Sequence, residues 1–237
     1  MNRASVLLAG SLVLTSATSA QEVTLTEFKA RNGVGFEYAI LEPAGFDADE
    51  PHAVLFAFPP GDMDRAAVQW SVDNLWGDAD ARGDWVIVIP TIPRDSWHTH
   101  PAHHALDEFL DELKARYNTE LLGLHLTGYS SGARAAITYA SMSSKYWSSL
   151  TVAGPSPWNR WDAASIRRWP TNNKHIPIHI LVGEHDAEGL AAVERVEKPF
   201  RDGGVSVRTT VVPGYGQGLE SMLGGGMLAA ISATASH

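Results

Sequence analysis

The chain has 237 residues, 44% of them apolar and 19% charged, which suits one globular α/β domain with a sizeable core and argues against a disordered or coiled-coil chain. Its formal net charge of −9 disfavours nucleic acid and anionic membrane surfaces as partners, because both reward an excess of Lys and Arg. The absence of cysteine removes disulfides, thiolate metal sites and cysteine nucleophiles, so packing must hold the fold.

Residues 1–20, MNRASVLLAGSLVLTSATSA, place a basic residue at Arg3, an apolar run from Val6 to Leu14 and small residues up to Ala20. That three-part layout is a signal peptide, and its apolar run is shorter than the ~20 residues a membrane span needs. The expected mature chain starts near Gln21, in the periplasm or outside the cell, with no integral membrane segment left after cleavage. Two β-rich segments follow at 23–30 and 36–42, separated by the hairpin signal Asn32-Gly33. Short apolar runs at 53–58, 85–89, 122–127, 150–153, 176–182 and 205–212 then read as buried parallel strands. Between them lie helical segments. The clearest, 102–117, carries Ala105, Phe109, Leu110 and Leu113 on one stripe and Lys114 and Arg116 near its end, where the helix dipole favours cations. Other helices start near Arg65, Gly132, Ala163, Ala187 and Leu219. This alternation predicts a mostly parallel eight-stranded sheet, led by an antiparallel hairpin, with helices on both faces. No repeat, linker or second domain interrupts residues 21–237.

In such a sheet ligands bind at the C-terminal ends of the strands, so the loops after the apolar runs hold the chemistry. After the run 122–127 comes Gly128-Tyr129-Ser130-Ser131-Gly132, a G-x-S-x-G pattern followed at once by a helical segment. The glycines suit a strained strand-to-helix turn on which a neighbouring side chain would clash, and that turn lifts the Ser130 hydroxyl clear of the sheet. The first N–H groups of the helix point toward it, and the N–H of Ser131 supplies one half of an oxyanion hole.

On these residues the chain resembles the α/β-hydrolase superfamily, and within it the small secreted esterases of dienelactone-hydrolase and polyhydroxybutyrate-depolymerase type, over residues 53 to about 228. The resemblance implies Ser130 as nucleophile of a carboxylic-ester hydrolase that uses no cofactor. It puts the second oxyanion donor in Phe58-Pro59-Pro60-Gly61-Asp62, as the N–H of Gly61 or Asp62. In Gly183-Glu184-His185-Asp186, 56 residues beyond Ser130, it assigns the triad acid to Asp186. The superfamily then expects a histidine after the last strand, commonly within Gly-x-Gly-His. Here Gly214-Tyr215-Gly216 leads into Gln217, 31 residues after Asp186. A carboxamide has no useful basicity near neutral pH, so Gln217 can hold a hydrogen bond but cannot take the serine's proton. The expectation is a slow or impaired hydrolase, or else a non-catalytic protein that keeps the scaffold to bind a sugar, an ester or a protein partner.

Four histidines crowd into Ser96-Trp97-His98-Thr99-His100-Pro101-Ala102-His103-His104, a loop that also opens at the active-site end. One of them is a possible replacement base. A metal reading is weakened because Pro101 spoils a helical placement of His100; the expected role of His98 and His100 is a polar rim that touches substrate. His125 and His179 fall inside strands and read as structural, and His185 should point away from its neighbour Asp186. Trp158, Arg160 and Trp161, in the loop after the run 150–153, complete the expected rim, with rings to stack on a sugar or aromatic acyl group and a guanidinium for a carboxylate. The substrate expected is a small-molecule or oligosaccharide ester in a shallow pocket without a large lid.

Overall fold

The computed structural model describes residues 23–92, 100–154, 163–216, 218 and 225–235. The leader at 1–20 lies outside them. Among the described residues no helix is long and apolar enough to cross a membrane.

Eight strands form one sheet: β1 (Thr26–Lys29), β2 (Gly35–Leu41), β3 (Val54–Phe58), β4 (Val86–Pro90), β5 (Leu124–Tyr129), β6 (Trp147–Ala153), β7 (Ile178–Gly183) and β8 (Val207–Val212). Their spatial order is β1-β2-β4-β3-β5-β6-β7-β8. The β1–β2 hairpin is antiparallel and β2 meets β4 antiparallel, whereas β3 to β8 run parallel. Strands β3, β4, β5 and β7 are buried at every residue, which is why they read as unbroken apolar runs.

The helices are α1 (Arg65–Ser71), continued by a π-helical turn at Val72–Trp76, then α2 (Ala79–Arg82), α3 (His100–Tyr117), α4 (Ser131–Met142), α5 (Ala163–Asn173), α6 (Ala187–Asp202) and α7 (Gly225–Ala235). Alternate strand residues feed two cores. On one face Phe56, Leu126, Val152 and Ile180 pack under Phe109 of α3, Ile137 of α4, Ile166 of α5 and Val196 of α6. On the other, Leu55, Ile87 and Leu181 pack with Val68 of α1, Trp76, and Met227 and Ile231 of α7. The stripe Ala105, Phe109, Leu110 and Leu113 is buried as its spacing requires.

Most strand bounds shift by one to three residues from the sequence reading, and three shifts have a local cause. Leu122 does not open β5: Gly123 sits at φ +85 and gives its N–H to Thr119 O at 2.7 Å, so Leu121 and Leu122 lie in an exposed turn. β6 begins three residues early, at Trp147, because that ring is buried. His100 is helical after all. It is the first residue of α3, and Pro101 in the first turn costs nothing because N–H groups there have no intrahelical acceptor. The helix start expected near Leu219 falls outside the described residues.

Candidate active site

β5 ends at Tyr129 and α4 starts at Ser131, so Ser130 alone makes the turn between them, at φ 56 and ψ −117. A non-glycine residue held at positive φ costs on the order of 1–3 kcal/mol and persists only where its surroundings enforce it. The enforcement is visible on both sides. Ser130 N–H donates to Ala153 O of β6 at 3.0 Å, and Ser130 O accepts from Ala133 N–H at 3.1 Å. A Cβ on Gly128 would lie 2.2 Å from Gly132 O, and one on Gly132 would lie 2.2 Å from Phe58 O. Both glycines of the motif are therefore demanded by backbone approaching backbone. Gly132 brings the start of α4 directly against the end of β3.

The loop after β3 wraps this junction. Met63 N–H donates to Pro60 O at 3.2 Å, closing a turn with Gly61 at φ +63. Ser131 Oγ donates to Gly61 O at 2.8 Å. Beyond the turn, Asp64 caps α1 by accepting from Ala67 N–H at 2.9 Å. The N–H groups of Ser131 and Gly132, first in α4, have no intrahelical acceptor by position.

Asp186 follows β7 and caps α6. It is buried, with 6% exposed, and its Oδ1 accepts from Gly189 N–H at 2.8 Å. Its Oδ2 is buried and meets no hydrogen-bond donor among the described residues. A buried carboxylate oxygen without a donor is expensive. The strand ends of β5 and β7 are separated by β6 alone, or about 10 Å at two strand spacings.

The segment after β8 is docked on the turn that carries Asp186. Glu184 N–H donates to Val212 O at 2.9 Å, His185 N–H to Tyr215 O at 2.7 Å, and Gly214 N–H to Glu184 Oε2 at 2.8 Å. A Cβ on Gly183 would lie 2.2 Å from Gly216 O. Gln217 comes next in the chain and lies outside the described residues, as do His98, Trp158, Arg160 and Trp161; of His100 only the backbone is described.

Five other histidines named above as candidates or as structural are described. His103 stands edge-on to the Tyr139 ring at 5.8 Å. Tyr139 lies on α4, nine residues beyond Ser130. His104 is exposed, and so is His185, in contrast to buried Asp186. His125 pairs with Ser149 Oγ at 2.7 Å and Leu122 O at 2.8 Å. His179 pairs with Thr210 Oγ1 at 2.9 Å and Ala230 O at 3.2 Å. Burial holds the pKa of both rings below the usual histidine value, and the carbonyl on each only partly offsets it. Trp169 of α5 is buried and stacked on Phe200 at 4.8 Å.

Two contacts escaped sequence reasoning. The Ser131 side chain reaches across to Gly61, and Trp70 stacks on Tyr129 at 6.2 Å beside the turn. No spacing rule announces either. A cleft of about 510 Å³, bordered by His52, Arg82, Trp85 and Leu122, opens at the N-terminal ends of β3, β4 and β5, the end of the sheet opposite Ser130.

No protein-family model and no curated protein matches the chain. Solved structures do. A thermostable esterase superposes with a TM-score of 0.64 at 16% identity over 91% of this chain, which spans 60% of that one. An S-formylglutathione hydrolase from Agrobacterium tumefaciens gives 0.64 at 14% identity, over 90% of this chain and 94% of that one. A ferulic acid esterase from Anaeromyces mucronatus gives 0.59 at 15% identity, over 94% and 95%. With the eight-stranded, mostly parallel sheet and its helical cover, this likeness shows that the chain has the α/β-hydrolase fold.

Proposed function

We propose that this protein is an exported carboxylic-ester hydrolase in which Ser130 attacks the ester carbonyl, Asp186 is the triad acid and Gln217 stands where the base belongs, so that native turnover is slow. The observation that carries the reading is Ser130 at φ 56, the strained turn that presents a nucleophile above a parallel sheet. Attack forms the Ser130 Oγ–carbon bond and puts negative charge on the former carbonyl oxygen. The Ser131 N–H and an N–H of the Gly61 loop are the proposed donors to that charge, and such donation is usually the largest contribution to catalysis of this kind. The serine proton then needs an acceptor. Asp186 Oδ2, buried without a donor among the described residues, suits the N–H of an imidazole at position 217. Glutamine there leaves the proton without a base, and loss of one triad member typically costs about 10⁴ to 10⁶ in turnover.

Esterases among the fold neighbours support ester substrates, and a ferulic acid esterase supports an aromatic acyl group. Trp158, Arg160, Trp161, His98 and His100 are the residues proposed to meet that substrate, a small-molecule or oligosaccharide ester. The test is Gln217→His. It should raise hydrolysis of a small activated ester at least about a hundredfold, inside the ~10⁴ that triad loss costs, and adding Ser130→Ala should abolish the gain. An inert but folded Gln217→His protein would turn the reading to a non-catalytic binder on the same scaffold.

A further inference from the structure

We infer that the Ser131 hydroxyl is a positioning residue that locks the oxyanion loop, and that the second donor is the N–H of Gly61 and not that of Asp62. The inference rests on the ester-hydrolase reading for its chemistry, but its geometry stands alone. Ser131 Oγ donates to Gly61 O at 2.8 Å. In a trans peptide the C=O of one residue and the N–H of the next point in opposite directions. Tying Gly61 O to Ser131 therefore turns the Asp62 N–H away from Ser131, whose own N–H is the first donor. One oxygen cannot lie within about 3 Å of both groups.

Gly61 N–H belongs to the preceding peptide and is not turned away by this bond. Among the described residues nothing accepts from it. Pro60, just before it, has no N–H to offer. Gly61 also stands at φ +63, on the positive side that the first central position of this turn requires, and a Cβ there would meet nothing within 4 Å. Glycine is kept here by its backbone angle, not by crowding. The loop has further holds: the turn bond from Met63 N–H to Pro60 O, the close approach of Phe58 O and Pro59 O to Gly132, and Met63 O, which accepts from Ile92 N–H at 2.6 Å. The turn bond closes around the Gly61–Asp62 peptide but fits either face of it, and the Ser131 hydroxyl, bonded to the Gly61 carbonyl, fixes which face turns toward α4.

The experiment has a structural arm and a kinetic arm. In ¹³C,¹⁵N-labelled protein, Ser131→Ala should shift the Gly61 carbonyl resonance upfield, and Ser131→Thr should keep it, because threonine retains the hydroxyl. In the Gln217→His background, Ser131→Ala should lower kcat about tenfold or more with KM within twofold, short of the ~10²- to 10³-fold lost when an oxyanion donor is removed outright. Ser131→Thr should recover kcat. When phenylboronic acid forms its anionic adduct on Ser130 of Gln217→His, the Gly61 amide proton should move downfield and the Asp62 proton should not. A Gly61 carbonyl unmoved by Ser131→Ala, or a downfield shift at Asp62 in place of Gly61, overturns the inference. Failure of Gln217→His to turn over or to take the boronate counts instead against the ester-hydrolase reading, while the carbonyl resonance still decides the clamp.

Discussion

Gly132→Ala puts the packing of the serine turn to a direct test. The added methyl would lie 2.2 Å from Phe58 O, 2.8 Å from Pro59 O and 2.9 Å from Phe58 C, all backbone atoms. Ordinary carbon–oxygen contact lies near 3.3 Å, so α4 and the end of β3 must part by about 1 Å. The strand cannot yield freely, because Phe58 is paired with Gly128 at the end of the β3–β5 ladder. Overpacking of this kind costs about 1–3 kcal/mol, and a ladder or turn hydrogen bond lost with it adds about 1 kcal/mol. At roughly 2–4 °C per kcal/mol for a domain of this size, the melting temperature should fall by about 5–15 °C. The displacement also separates the Ser131 N–H from the Gly61 loop, so turnover in the Gln217→His background should drop about a hundredfold. Thermal unfolding by circular dichroism and initial rates on an activated ester read the two effects. Gly216→Ala is the control, since a Cβ there meets nothing within 4 Å and should change stability by less than about 0.5 kcal/mol. A Gly132→Ala protein that melts with the wild type would refute the close approach of backbone at this turn.

Asp186→Asn should keep the cap on α6, because an amide oxygen still accepts from Gly189 N–H, yet it should cost about 10⁴ in the turnover of Gln217→His; equal rates would remove Asp186 from the proposed triad. Burial lowers the folded-state pKa of His125 and His179, so the stability they contribute is present above the unfolded value of about 6.5 and is lost as pH falls through it. The urea midpoint should therefore drop between pH 7.5 and 5, with both rings titrating below 6.5 by NMR, and a ring titrating above 6.5 would contradict this. Burial raises the pKa of Tyr117, Tyr139 and Tyr146, with carboxylates Glu42, Asp107 and Asp111 adding to the rise, so their contribution is present below about pH 10 and lost above it; absorbance titration should find these phenols still neutral in the folded chain above pH 10. The exported chain should begin near Gln21, and an intact mass that includes Val6 to Leu14 would sink the export proposal.

Much of this architecture was legible in the chain because its signals are local. Fully buried strands such as β3 and β7 are unbroken apolar runs, α3 carries its own stripe, and the serine turn needs two glycines so close in sequence that Gly128 and Gly132 announce it. The fold class and the order of the strands along the chain followed from that alternation. What the linear pattern could not settle depends on atoms brought together from distant positions. Which ring His103 meets was not legible, since a loop's opening at the right end of a sheet does not fix which way a side chain turns. That the hydroxyl of Ser131, 70 residues away, donates to Gly61 O was equally out of reach of the linear pattern. The Asp186 carboxylate, with one oxygen capped by Gly189 and the other buried without a donor among the described residues, is likewise a fact of tertiary packing. Sequence names the groups that can accept, donate or attack; only the folded backbone sets the directions in which they do so.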